Sequence, residues 1–174
     1  MAHKISLVCT VRDEADNITQ LLESMLGQSL PADEIVINDC NSIDATPHVV
    51  QSYIDVGYPI RLVKGGHNIP TGRNNAIFHA TGDIVVCTDA GLILDRHWLK
   101  RITEPLRADT ADVVGGFFRP LPRSVFELAL GHTNYRDVDE IDGATFLPFG
   151  KSVAFRKAAW ELPRMGLALR RHSV

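Results

Sequence analysis

The hydrophobic positions of this chain alternate between two periods. Ile5 to Cys9, Ile35 to Ile37 and Ile60 to Val63 are short apolar runs interrupted only by Ser6 and Arg61, and Ile84 to Cys87 is a continuous one. That is how strands read when both faces of a parallel sheet are covered. Between the runs, the spacing lengthens to that of a helix. Ile18, Leu21, Leu22, Met25 and Leu26 recur at i, i+3, i+4, i+7 and i+8, giving one apolar face, with Asp13 or Asp16 as its cap and Gly27 and Pro31 at its end. Val49, Val50, Tyr53 and Ile54 follow an N-cap at Thr46 with Pro47 behind it and stop at Gly57. Ala76, Ile77 and Ala80 predict a third helix from about Gly72 to Ala80, capped by Thr71 and ended by a left-handed Gly82.

Strands and helices alternating at this interval predict an α/β fold, a Rossmann-like, mostly parallel central sheet flanked by helices. Beyond Asp89 the rhythm weakens. Asp95 is placed to cap a helix carrying Trp98, Leu99 and Ile102, with Pro105 disturbing its last turn, and Val113 to Phe118 reads as a strand bulged at Gly115-Gly116. Val125 to Leu130 predicts a helix, Arg136 to Asp142 an acidic loop, Ser152 to Phe155 a strand, and the stretch around Trp160 a last helix.

With 174 residues, 45% of them hydrophobic, one domain with its own core is expected. The net charge of −3 argues against a nucleic-acid partner held by phosphate neutralisation. From Ala144 onward the only acid is Glu161, against Lys151, Arg156, Lys157, Arg164, Arg170 and Arg171. Such a basic stretch is a solvated face or a peripheral contact with anionic lipid. Cys9, Cys40 and Cys87 lack C-x-x-C spacing and lie in or beside apolar runs, which fits buried free thiols in a reducing compartment. The first strand starts almost at Met1 and no apolar run approaches the length of a spanning helix. The expected location is the cytoplasm, with the inner face of a membrane as the place where the basic tail would act.

Neither G-x-G-x-x-G nor G-x-x-x-x-G-K-[ST] is present, which disfavours a dinucleotide enzyme and a P-loop. What remains is polar residues at successive strand ends: Thr10, Asp39, Asp89, and Arg73 near a helix start. Ligands of open α/β sheets bind at that edge, although Asp39 and Asp89 also suit simple turns. Four strings in order, S-L-V-C-T-V-R-D-E, E-I-V-I-N-D-C-N-S-I-D-A-T, G-R-N-N-A-I-F-H-A-T-G-D-I-V-V-C-T-D-A-G and F-G-K-S-V-A-F-R-K-A-A-W-E, resemble the motifs of family 2 glycosyltransferases of the GT-A fold. The similarity spans Lys4 to Glu161.

The resemblance implies a domain over residues 1–161, with a nucleotide-sugar-binding half at 1–92, an acceptor-side half at 93–161 and an atypical tail at 162–174. It implies transfer of a sugar from a nucleoside diphosphate sugar to an acceptor hydroxyl, saccharide or lipid-linked, with inversion. Thr10 and Asp39 would hold the nucleoside, Arg12 would stack on the base, Arg73 would approach the nucleotide, and Asp89 would bind Mg2+ or Mn2+ against the diphosphate. Three positions depart from the family pattern. Arg12 stands where an aromatic residue is frequent, Gly91 replaces the second Asp of D-x-D, and no acid follows Glu161, where the family carries its base. Asp137, Asp139, Glu140 and Asp142 are the substitutes within the chain. The alternative expectation is a nucleotide-sugar-binding protein impaired in transfer.

Overall fold

The structure, a computed structural model, describes residues 3–122, 124–127, 129, 142 and 148–161. Among these, one six-stranded sheet runs in the order β3-β2-β1-β4-β6-β5. Its strands are β1 (Ile5–Val11), β2 (Glu34–Asp39), β3 (Ile60–Lys64), β4 (Ile84–Asp89), β5 (Val113–Gly115) and β6 (Ser152–Arg156). β1, β2, β3 and β4 pair in parallel, and β6 runs against both β4 and β5. The expected Rossmann-like architecture is therefore the one observed. The helices are α1 (Ile18–Leu26), α2 (Thr46–Val56), α3 (Ile69–His79), α4 (Trp98–Arg107) and a short α5 (Lys157–Glu161).

The pleat sorts the core into two layers. Leu7, Cys9, Ile35, Ile37, Ile84 and Val86 face α1, α2 and α4, where Leu21, Leu22, Val50, Leu99 and Leu106 are buried. Val8, Val36, Val85 and Cys87 face α3 through Ala76 and Ile77. Burying each large apolar side chain stabilises the fold by about 1.5–3 kcal/mol, and both faces of β1 draw on this. All seven residues of β1 are buried. β6 is inserted between β4 and β5, so the chain leaves the sheet at Gly115 and re-enters beside the same strand at Ser152, where Gly116 N donates to Ser152 O at 2.9 Å.

Several local expectations are corrected. β1, β2 and β4 run on through Val11, Asp39 and Asp89, because parallel pairing uses backbone groups and tolerates polar side chains at the tips. α3 is capped by Asn68, not Thr71: Asn68 Oδ1 accepts from Thr71 N at 3.0 Å while Asn68 N donates to Thr71 Oγ1 at 3.2 Å. Gly82 is not left-handed; a Cβ there would lie 2.6 Å from Ser6 Oγ and 2.8 Å from Lys4 O, so close approach requires the glycine. Neither Asp13 nor Asp16 caps α1, whose N-cap is Asn17. Asp13 instead accepts from Ile43 N at 2.8 Å. Thr46 is the first residue of α2, its N-cap being Ala45, and its hydroxyl accepts from Glu14 N at 2.8 Å.

α4 is capped by His97, with Asp95 Oδ1 accepting from His97 N at 2.9 Å, and it continues through Pro105 to Arg107. β5 stops at Gly115, short of the expected Phe118. Val125, Phe126, Glu127 and Ala129 are helical, while the rest of that predicted helix, Asp137, Asp139 and Glu140 of the acidic loop, and the tail from 162 lie outside the described residues. No helix among the described residues is long and apolar enough to cross a membrane.

Candidate functional site

Four polar groups expected to act together are gathered at the carboxyl edge of the sheet, but the pleat divides them. Thr10 follows Val8 by two and Asp89 follows Cys87 by two, so both belong to the α3 face. The two residues are also register partners across the β1–β4 pair. Asp39 follows Ile37 by two and belongs to the opposite face, at the tip of β2 in register with Val11. It is 1% exposed, and its Oδ1 accepts from Ser42 N at 3.1 Å. Arg12, just beyond Val11, is exposed and lies 3.7 Å from the Asp13 carboxylate.

Arg73 comes from the first turns of α3 and donates through Nη2 to Asp89 Oδ1. The two side chains are 21% and 18% exposed, a partly desolvated pair at the end of the most apolar strand. Arg73 Nε and Thr10 Oγ1 are both buried without a hydrogen-bond partner, which leaves a donor and a hydroxyl unsatisfied at this edge. Arg73 can sit here because Gly72 lets α3 approach β1 and β2. A Cβ at Gly72 would stand 2.5 Å from Cys40 Sγ, 2.7 Å from Thr10 Cγ2 and 2.8 Å from Asn38 Nδ2.

Sequence reasoning missed the amide network that fixes this approach. Asn75 Nδ2 donates to Asn38 Oδ1 at 2.7 Å, and Asn38 Nδ2 donates to Gly65 O at 2.8 Å, tying α3, β2 and the loop after β3 together. The signal was the paired asparagines of G-R-N-N and the pair Gly65-Gly66, whose second member has φ +77°. It also missed Gly150, whose backbone packs on the Arg73 guanidinium: a Cβ there would lie 2.9 Å from Cζ and 3.3 Å from Nη2. Gly150 belongs to the fourth motif string, where no role was attached to it.

Burial disfavours the thiolate at all three cysteines. Burial pushes Cys87 up to about 12, with the Arg73 guanidinium pulling the other way. Burial, then the Asp89 carboxylate, pushes Cys9 up as well. All three cysteines are free and buried.

Among the described residues, no group of three His, Cys, Asp or Glu side chains is assembled that could hold a metal. On the α3 face of this edge Asp89 offers a carboxylate, and Gly91, with φ +77° and nothing within 4 Å of where a Cβ would be, leaves space beside it. Such a donor set fits a hard cation that keeps waters and takes most of its oxygens from phosphate.

The family model described as glycosyl transferase family 2 matches residues 6–162. The chain belongs to this family. A family relative, the poly(ribitol-phosphate) beta-glucosyltransferase of Bacillus spizizenii, is 26% identical over 165 residues, 88% of this chain and 25% of that protein. The mannosyltransferase PcManGT from Pyrobaculum calidifontis, solved with GDP-Man and Mn2+, is 25% identical with a TM-score of 0.71 over 95% of this chain and 47% of its own. S. aureus TarS 1-349 in complex with UDP superposes with a TM-score of 0.64 at 22% identity over 91% of this chain and 48% of that one, a likeness of fold. This family 2 chain thus spans a quarter of the curated relative and about half of the solved structures.

Proposed function

We propose that this chain is the donor-binding domain of a glycosyltransferase that moves a sugar from a nucleoside diphosphate sugar to an acceptor hydroxyl. The reading rests on the Arg73–Asp89 pair at the carboxyl edge of β4, with the hydroxyl of Thr10 beside Asp89 in register. A guanidinium suits a diphosphate, and a carboxylate suits the cation that neutralises it. GDP-Man and Mn2+ in the PcManGT complex support the same pairing of ligands. Residues 1–92 would form the donor half and 93–161 the acceptor side.

Arg12 and Asp39, at adjoining strand tips, would bind the nucleoside, with the guanidinium plane stacked on the base. Thr10 and Arg73 would orient the diphosphate, and Asp89 would hold Mg2+ or Mn2+. When bound, the cation supplies neutralisation of charge developing on the leaving diphosphate. The acceptor oxygen attacks the anomeric carbon from the face opposite the diphosphate, giving inversion; the breaking bond leaves its electron pair on the phosphate oxygen, and the acceptor proton passes to a carboxylate. We assign that base to no residue. A saccharide or lipid-linked hydroxyl is the acceptor class we propose, with action in the cytoplasm or at the inner membrane face.

The test is calorimetric titration of the chain with UDP, GDP and NAD, with and without Mn2+. Metal-dependent binding of a nucleoside diphosphate, lost in Asp89→Ala with the fold intact, is the expected result. Preference for NAD, or wild-type binding of nucleotide and metal by Asp89→Ala, refutes the reading.

A further inference from the structure

Arg73 and a metal ion make competing claims on one carboxylate. Arg73 Nη2 occupies Asp89 Oδ1, in a site where both side chains are largely withdrawn from water. Two cations sharing one carboxylate in such surroundings repel each other strongly. The guanidinium is held in place rather than loosely parked. Its Nε is buried without a partner, a cost that a second anion near the guanidinium would relieve. Its Cζ lies 2.9 Å from where a Cβ at Gly150 would be, so the 150 backbone forms a shelf that only glycine provides.

We infer that Arg73 is the resident cation of the ligand-free site, seated on Asp89 by the glycine at 150, and that it releases Asp89 when a diphosphate offers it another anion. This deepens the reading of Asp89 as cation ligand and rests on it. Gly150, whose nearest side-chain neighbour is the Arg73 guanidinium, is a positioning residue acting through Arg73. Mn2+ alone then binds weakly, and diphosphate and Mn2+ strengthen each other's binding by the same factor, as linkage requires.

The experiment measures free Mn2+ by its paramagnetic resonance during titration of the full chain, with and without inorganic pyrophosphate as the diphosphate probe. Wild type, Arg73→Gln, Gly150→Ala and Asp89→Asn are compared, each checked for folding by circular dichroism. Arg73→Gln is expected to bind Mn2+ alone about two- to fivefold more tightly than wild type, the scale of one partly exposed ion pair removed as competitor. The gain from adding pyrophosphate should shrink to match. Gly150→Ala keeps every polar group and should shift Mn2+ affinity in the same direction by crowding the guanidinium off Asp89.

Unchanged or weaker Mn2+ binding by both variants, with binding abolished in Asp89→Asn, overturns the inference while leaving Asp89 as the ligand. Wild-type Mn2+ binding by Asp89→Asn instead removes the metal reading itself. Should Arg73→Gln fail to fold, Gly150→Ala decides the matter alone.

Discussion

Replacing Gly72 by alanine sets two effects of opposite sign against each other. Gly72 lies in the first turns of α3, where alanine is favoured over glycine by about 1 kcal/mol in helix propensity. Against this, the new methyl would meet Cys40 Sγ at 2.5 Å, Thr10 Cγ2 at 2.7 Å and Asn38 Nδ2 at 2.8 Å. Ordinary carbon contacts begin near 3.5 Å, so α3 would have to back away by roughly 1 Å. Overpacking of this kind costs about 1–3 kcal/mol, and three obstacles rooted in different parts of the β1–β2 edge place it in the upper part of that range. The net expectation is a loss of about 1–2 kcal/mol, or a fall in Tm of about 2–8 °C for a chain this size.

Urea and thermal unfolding followed by circular dichroism measure the loss. Removing the nearest obstacle in the same background, Gly72→Ala with Cys40→Ala, should recover part of it, and a double-mutant cycle isolates that coupling. A Gly72→Ala chain that is more stable than wild type would show that propensity wins and that α3 is free to move. Gly72 would then not be what fixes the position of Arg73.

Asp39→Ala should weaken binding of a nucleoside diphosphate about tenfold or more, from loss of a charged hydrogen bond worth about 1.5–3 kcal/mol. Pyrophosphate affinity should stay at the wild-type value; equal nucleotide affinity in mutant and wild type would return Asp39 to a structural role at the Ser42 turn. Glu34 gives a pH prediction. Burial pushes its carboxyl up, but hydrogen bonds from Ser6 Oγ, Thr81 N and Thr81 Oγ1, with Lys4 nearby, outweigh it and hold Glu34 below the usual range. Its stabilising contribution is therefore complete above the ordinary carboxylate pKa and is lost as pH falls through the lower folded value. Tm should drop on acidification below about pH 5 more steeply in wild type than in Glu34→Gln; parallel curves would refute the assignment.

The central strands were legible because burial on both faces leaves nearly unbroken apolar runs, and β1, β2 and β4 carry them, with Ser6 interrupting that of β1. Their last residues were not, for one physical reason. Asn38, Asp39, Thr88 and Asp89 are polar residues at the carboxyl edge of the sheet, yet their backbones still pair in the ladder. Polar residues after an apolar run look like a turn. The face each one takes was readable by counting in twos from Ile37 and Cys87, and this is what separates Asp39 from Thr10 and Asp89. Glycines were misjudged because their reasons are distant in sequence: Gly82 is demanded by Ser6, Gly72 by Thr10 and Gly150 by Arg73. Local rules offer only turn propensity at such positions. The expected cap of α3, Thr71, lies three residues inside the true cap Asn68, and the two residues in fact bond each other.

The insertion of β6 between β4 and β5 bears on how such a protein can change. Residues 116–151 leave and rejoin the sheet at neighbouring points, clamped by the Gly116–Ser152 hydrogen bond and the antiparallel ladder. Closing a longer excursion between two fixed posts costs only about 0.6 kcal/mol per doubling of length. An exchangeable cassette is thus spliced into a hydrogen-bonded frame, free to acquire new lengths and sequences while the groups at the tips of β1, β2 and β4 stay in register. Grafting such cassettes between relatives is a route to changing this excursion while the sheet edge stays unaltered.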